Sequence, residues 1–118
     1  KFGTYSVRAR EEAEAEKLLA DARMLDEIGC FGIVLEKIPA ALTARVAEAI
    51  SIPVIGIGAG NAAYGQVLVT QDMLGLNDGF APRFLRRYGH LGEEISNSVS
   101  HYIIDVKSCD FPNEKEQY

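Results

Sequence analysis

The sequence predicts an α/β fold in which parallel strands alternate with helices. Two short runs, residues 31–36 and 54–57, are almost wholly apolar, as strands are when both faces of a parallel sheet are covered. Each run follows a segment whose apolar residues recur every three or four positions, which is the period of an amphipathic helix. Strands that alternate with helices in this way are typical of parallel sheets.

The first helix is predicted over residues 10–28. Glutamates crowd its first turns, where the helix dipole favours anions, and Gly29 is well placed to end it. Its apolar face is formed by Ala15, Leu18, Leu19, Ala22, Leu25 and Ile28.

The central part of the chain is predicted to hold three strands and a second helix. After the strand at 31–36, Pro39 suits the first turn of a helix that reaches about residue 50. A second strand covers 54–57, and a valine-rich run predicts a third over 66–70. Three parallel strands leave both sheet edges open. We therefore expect the sheet to be incomplete, since a closed eightfold barrel takes about 250 residues.

The rest of the chain is predicted to be mainly helical. We expect a short helical turn at 72–75, a turn at 77–79, a short helix at 82–88 and a long helix at 91–107, followed by a loose polar tail from about 110. The apolar stripe of the long helix is Leu91, Ile95, Val99, Tyr102, Ile103 and Val106.

Composition excludes several functional classes. The net charge of −5 argues against nucleic acid as the main partner. No apolar run reaches the roughly 18 residues of a membrane helix, and no secretory leader is recognisable. Cys30 and Cys109 have no metal or redox spacing, so we expect reduced thiols in a cytoplasmic protein.

Glu36 is the candidate site residue, because it ends an apolar strand. Side chains alternate along a strand, so Gly32, Val34 and Glu36 should face inward. Phe31, Ile33 and Leu35 should then face the helices. A carboxylate at the carboxyl end of a parallel strand lies where such folds place their chemistry. The structural alternative is a rim carboxylate that pairs with Lys37 or caps the next helix.

The second strand is expected to leave room for this carboxylate. Ile55 and Ile57 suit the helix side, which puts Gly56 and Gly58 on the inward side. The loop at 56–60 resembles a phosphate-binding loop only weakly, so its glycines are interpreted as allowing a tight turn and close packing.

The remaining polar candidates have simple structural interpretations. Asp72 is expected to cap a helix, and His90 and His101 are expected at the surface. The basic cluster is interpreted as a solvated face or an interface contact; its members are Arg83, Arg86 and Arg87.

Four motifs together carry a family resemblance. They are VLEKIP at 34–39, IPVIGIGAG at 52–60, GQVLV at 65–69 and DMLG at 72–75. In this order and spacing they resemble the ketopantoate hydroxymethyltransferase family. The similarity extends over essentially the whole chain, from FGTY at 2–5 to the last helix.

The resemblance implies a fold and an activity. It implies that residues 1–118 are the C-terminal portion of a single (β/α)8 TIM barrel domain. Such an enzyme makes ketopantoate from 3-methyl-2-oxobutanoate and 5,10-methylenetetrahydrofolate in pantothenate biosynthesis, with Mg2+ bound to the keto acid. By the same resemblance Glu36 is the general base at C3, and the enzyme is a homo-oligomer.

Other parts of the family site are not matched. The metal-binding carboxylates, and the lysine and serine that hold the keto acid, belong to earlier strands, so the resemblance implies a missing N-terminal half of the barrel. Tyr64-Gly65 stands where relatives commonly have Asp-Gly, and Gln71 stands where they often have His. Two alternatives stay open: an inert barrel fragment that needs a complementary chain, and a phosphate-binding barrel enzyme that uses the loop at 56–60.

Overall fold

The computed structural model describes residues 8, 9, 11–77, 79 and 81–118. The expectations for residues 1–7, residue 10 and Asp78 therefore lie outside the described residues. The elements are α1 (Glu12–Glu27), β1 (Ile33–Glu36), α2 (Ala40–Ala49), β2 (Val54–Ile57), β3 (Gly65–Gln66), α3 (Thr70–Met73) and α4 (Leu91–Ser108). The chain divides into two compact units, residues 1–68 and 69–118.

The first unit contains a parallel sheet with strand order β1-β2-β3. Ile33 to Glu36 of β1 pair in register with Val54 to Ile57 of β2, and β3 pairs parallel to β2 through Ile55↔Gly65 and Gly56↔Gln66. Parallel strands that alternate with helices confirm the predicted α/β class. Among the described residues, none of the helices combines the length and the apolar character that a membrane span requires.

One face of this sheet packs against α1 and α2. Val46 of α2 and Val54 of β2 are fully buried at the centre of this contact, and each contributes roughly 1.5–3 kcal/mol by leaving water. The core is formed by Ala9, Ala15, Leu19, Ala22, Leu35, Ile38, Leu42, Val46, Val54 and Ala59. Ser51, just after α2, donates hydrogen bonds of 2.7 and 2.8 Å from its backbone N–H and its hydroxyl to Asp26 of α1.

The first helix ends as predicted at Gly29. This glycine has φ +85°, and its N–H donates to the Asp26 carbonyl. The N–H of Cys30 donates to the Leu25 carbonyl. These two bonds form a Schellman motif, which satisfies carbonyls that the helix end leaves open.

The glycine loop after β2 allows close packing, as the sequence predicts. Gly58 and Gly60 have positive φ values of 60° and 80°. A β-carbon on Gly60 would overlap the side chain of Ala40 and lie 2.9 Å from its Cα. Gln66 donates from Nε2 to the Gly60 carbonyl over 2.9 Å. The loop therefore lies directly against the first residue of α2.

The third strand is shorter than the sequence predicts. Strand pairing covers Gly65–Gln66 only, and Thr70 already begins α3. The N–H of Val67 still donates to the Gly56 carbonyl, and that of Met73 donates to Val69. The β propensity of residues 67–70 is thus overridden, because strand preference depends strongly on context.

In the second unit, α3 is joined to the start of α4 by backbone hydrogen bonds. The N–H groups of Leu91 and Gly92 donate to the carbonyls of Leu74 and Gly75. The prediction of a short helix over 82–88 is wrong. This segment forms a turn from Pro82 to Leu85 and is irregular after it. The N–H of Tyr88 donates to Met73 of α3 rather than within its own segment.

The long helix is confirmed as α4, and its apolar stripe is mostly exposed. Leu91 of the stripe is half-buried, whereas its other five members are between 43% and 56% exposed: Ile95, Val99, Tyr102, Ile103 and Val106. After α4, Phe111 contacts Tyr102 edge to face, with ring centroids 5.6 Å apart. The rest of the predicted polar tail is exposed and forms a turn from Asn113 to Glu116.

The close packing at Gly60 predicts a stability difference between two glycines. Gly29→Ala places a side chain at positive φ where nothing lies within 4 Å, so it should cost about 1 kcal/mol of unfolding free energy. Gly60→Ala adds an overlap with Ala40 to the same backbone penalty, and should cost about 1–3 kcal/mol more. Urea unfolding followed by circular dichroism measures both. Equal costs for the two variants would show that the loop does not pack tightly on α2.

Candidate functional site

Glu36 is the last residue of β1 and lies opposite Ile57, the last residue of β2. Its neighbour Leu35 is 4% exposed in the helix-packed core, whereas Val34 is 63% exposed and Glu36 is also exposed. The predicted alternation is therefore confirmed for these residues. Glu36 projects from the face of the sheet opposite the two helices, which we call the open face. Phe31 departs from the prediction: it precedes β1 and is 97% exposed.

The second strand has the opposite phase to the predicted one. Paired residues of parallel strands share a face, and Glu36 pairs with Ile57 while Leu35 pairs with Gly56. Ile57 thus lies on the open face beside Glu36, and Gly56 lies on the helix side. There, a β-carbon on Gly56 would approach Ala63 and Gln66 to 3.2–3.3 Å. The expectation that Gly56 makes room for Glu36 is wrong.

The apolar surroundings of Glu36 follow from this register. The open face consists of Val34, Glu36, Ile55 and Ile57. Gly65 pairs with Ile55 and shares this face. A β-carbon added to Gly65 would lie 2.9 Å from the Cδ1 atom of Ile55. Ile57 is therefore the neighbour of Glu36 on this face, and an apolar side chain beside a carboxylate suits a small organic substrate.

The structural alternatives for Glu36 are not observed. Pro39 is the N-cap of α2, and no side chain caps this helix. Within the described part of the chain, no hydrogen bond or ion pair engages the Glu36 carboxylate, including one to Lys37. The carboxylate is thus available to accept a proton from a bound molecule.

Lys37, directly after Glu36, has an unusual backbone. Its φ is +53°, a left-handed conformation that costs a non-glycine residue roughly 1–2 kcal/mol. Its N–H donates to the Ile57 carbonyl and its carbonyl accepts from the N–H of Arg8, both over 2.9 Å. The residue is also 9% exposed, which is low for a lysine. Lysine has no preference for this conformation, so the sequence carries no signal for it.

Asp72 is not a helix cap. Val69 is the N-cap of α3, and Asp72 is the third residue of that helix. Its side chain is 8% exposed, and Oδ1 accepts a hydrogen bond of 3.2 Å from Nδ2 of Asn77. Arg87 donates from Nη2 to the Asn77 carbonyl over 2.7 Å. Asp72 therefore belongs to a local polar network that holds the segment after α3.

The basic cluster is divided between two environments. Arg83 and Arg86 are exposed, as predicted, whereas Arg87 is half-buried and joins the Asn77 network. The predicted surface histidines are both exposed. His90 borders a cavity of about 320 Å³ at the start of α4 with Gly75, Gly92, Glu93 and Ser96.

Cys30 is half-buried and Cys109 is exposed, and neither forms a disulfide in the structure. Over residues 8, 9, 11–77, 79 and 81–118, no group of three or more His, Cys, Asp or Glu residues could hold a metal ion. The described residues therefore do not fit a magnesium centre of their own.

The two departures from the family pattern lie on the surface. Tyr64 is 78% exposed, and its N–H donates to the Val54 carbonyl. Gln71 is exposed in α3. The backbone of Tyr64 thus takes part in pairing of the sheet whichever side chain it carries.

Comparison with known proteins gives consistent matches. A family model described as ketopantoate hydroxymethyltransferase matches residues 1–114. Proteins named 3-methyl-2-oxobutanoate hydroxymethyltransferase from Parabacteroides distasonis, Porphyromonas gingivalis and Bacteroides fragilis are 72%, 68% and 67% identical over 118 residues. The matches cover all of this chain and 43% of each relative. The chain thus spans less than half the length of these curated relatives.

The polar network predicts a measurable role for Asn77. Asn77→Ala removes the donor to the buried Asp72 carboxylate and should lower the free energy of unfolding by about 1–3 kcal/mol. Asn61→Ala is the control, because Asn61 is exposed and outside this network; it should change stability by less than about 0.5 kcal/mol. Chemical denaturation of both variants compares them. A loss at Asn77 no larger than that at Asn61 would contradict a stabilising network.

Proposed function

Because the chain belongs to the ketopantoate hydroxymethyltransferase family, we propose that it supplies the general base of such an enzyme. The complete enzyme would transfer a hydroxymethyl group from 5,10-methylenetetrahydrofolate to 3-methyl-2-oxobutanoate, giving ketopantoate for pantothenate biosynthesis. The observation that carries this proposal is the position of Glu36. It ends a parallel strand, lies on the open face, and its carboxylate is unengaged within the described chain.

The proposed chemical step is a proton transfer to Glu36. The carboxylate takes the proton from C3 of the keto acid, and the electron pair of the C–H bond forms the enolate. Water first hydrolyses the one-carbon unit of the folate, which breaks its two C–N bonds, releases formaldehyde and leaves tetrahydrofolate with both nitrogens protonated. C3 of the enolate then attacks the formaldehyde carbon, and the formaldehyde oxygen takes the proton from Glu36 to become the hydroxyl of the product. A positioned general base typically contributes 10²–10⁴-fold to such a step.

The metal and the substrates are assigned to other parts of the enzyme. When bound, Mg2+ would polarise the keto acid and favour the enolate. The described residues offer no cluster for it, so we derive no step through the metal. Groups that hold the keto acid and the folate are proposed to come from the length of the relatives that this chain does not cover.

The open edges of the sheet support the proposal that this chain is part of a barrel. Among the described strands, β1 and β3 each pair only with β2, so the sheet has two open edges. We propose that residues 1–118 are the C-terminal portion of one (β/α)8 barrel, with further strands along these edges. The exposed stripe of α4 would then pack on the barrel wall or on another subunit of a homo-oligomer. The free thiols fit the reducing cytoplasm.

The role of Glu36 is tested by a conservative substitution. We consider a chimera in which this chain replaces the matching 118 residues of the Parabacteroides distasonis relative. Glu36→Gln keeps the shape of the side chain but removes the proton acceptor. Exchange of the C3 proton in heavy water, followed by NMR, should fall at least about 100-fold.

Glu48→Gln is the matched control, since Glu48 is an exposed glutamate of α2. This variant should exchange at the rate of the unsubstituted chimera. Exchange by Glu36→Gln at the unsubstituted rate would refute the assignment of the base.

The isolated chain is expected to be inactive. It lacks a described metal cluster and presents two open sheet edges. Turnover of 3-methyl-2-oxobutanoate with added Mg2+ should be undetectable with the 118-residue chain alone. Co-expression with the complementary segment of a relative should restore it. Robust turnover by the chain alone would overturn this prediction, whereas the Glu36 test would be unaffected.

A further inference from the structure

We propose that Lys37 is a positioning residue, whose left-handed backbone fixes the direction of the Glu36 carboxylate. This inference rests on the proposed role of Glu36 as the base. The two residues are adjacent at the point where β1 ends and the chain turns towards α2. The conformation of Lys37 therefore decides how the chain leaves the strand.

Two hydrogen bonds fix the peptide groups on either side of the Lys37 Cα. The N–H of Lys37 belongs to the peptide group that follows Glu36, and it donates to Ile57 of β2 over 2.9 Å. The Lys37 carbonyl belongs to the next peptide group, and it accepts from Arg8 over 2.9 Å. With the following peptide group held to β2, the Glu36 Cα cannot rotate freely, so its Cβ has a fixed direction.

The left-handed turn also changes the side-chain alternation. In a continued strand, Ile38 would share the face of Glu36, because side chains two residues apart point the same way. Instead, Ile38 is 8% exposed and belongs to the core between sheet and helices. The turn at Lys37 thus lets Ile38 enter the core while Glu36 stays on the open face.

The strained backbone of Lys37 is held in place by the contacts around it. A left-handed non-glycine residue persists only where its surroundings hold it. The contacts that hold Lys37 include the two backbone hydrogen bonds and the buried Ile38 that follows it. A residue that resists positive φ should relax this turn and move the Glu36 carboxylate, without removing any group that touches the substrate.

The test compares residues that tolerate positive φ with residues that do not. In the chimera described above, Lys37→Asn and Lys37→Gly tolerate the left-handed conformation, whereas Lys37→Val and Lys37→Ala resist it. Glycine and alanine differ by one methyl group, so this pair separates backbone preference from loss of the lysine side chain. We expect Lys37→Val to lower kcat and C3 exchange by roughly 10- to 100-fold, with the keto-acid KM nearly unchanged. Lys37→Asn and Lys37→Gly should retain at least about a third of the rate, and Lys37→Ala should lie between.

A control for general destabilisation is available in α4. Cys109, the C-cap of α4, also has a left-handed backbone, with φ +60°. Cys109→Val should impose similar strain and lower the unfolding midpoint, but leave C3 exchange unchanged. If Lys37→Val does not fold, the glycine and alanine variants alone decide the question.

Two outcomes would overturn the proposal. Equal exchange by all four Lys37 variants and the unsubstituted chimera would show that the turn does not direct the base. Equal loss in all four would assign the effect to the lysine side chain instead of the backbone. Failure of the proposed function is seen separately, as unchanged exchange by Glu36→Gln.

Discussion

The parallel pairing of β1 with β2 sets which side chains of the first unit face the helices and which face the opposite side of the sheet. Its register places Leu35 beside Gly56 on the helix side and Glu36 beside Ile57 on the open face. A shift of one residue would exchange these faces and send Glu36 into the helix-packed core. Burial of Leu35 against the helices opposes such a shift of β1, because the shift would expose Leu35. The same packing that stabilises the unit therefore also keeps the carboxylate available.

The end of β1 combines a stable part and a strained part. The core side of the sheet is well packed, whereas Lys37 adopts a left-handed backbone held by two hydrogen bonds. Strain of this kind is often found beside functional groups, where the surrounding fold maintains it. The glycine loop after β2 lies close to the start of α2. Because Gly60 has no side chain, its backbone can approach Ala40 more closely than that of any other residue. Both features shape the carboxyl end of the sheet, where Glu36 lies.

Several elements followed directly from local patterns, and others did not. The helical period and Gly29 predicted α1 and its end, and alternation placed Glu36 opposite Leu35. The predicted phase of β2 is wrong, because Val54, Ile55 and Ile57 are all apolar enough for a core. Only the pairing with β1 decides which of them face the helices. The prediction of a helix over 82–88 is wrong, because the N–H of Tyr88 donates to the carbonyl of Met73 in α3, which is distant in sequence. Asp72 likewise satisfies its side chain through Asn77 and not as a cap.

Periodicity, alternation and the order of the motifs can be read directly from the chain, and they are sufficient to predict the α/β class, the family and the candidate base. The position of Ile57 beside Glu36 and the left-handed backbone of Lys37 are known only from the folded structure. These features depend on strand register and on hydrogen bonds between Lys37, Ile57 and Arg8. Such contacts join segments about 20 to 30 residues apart in sequence, and their outcome is set by which pairing buries the most apolar surface while satisfying the backbone.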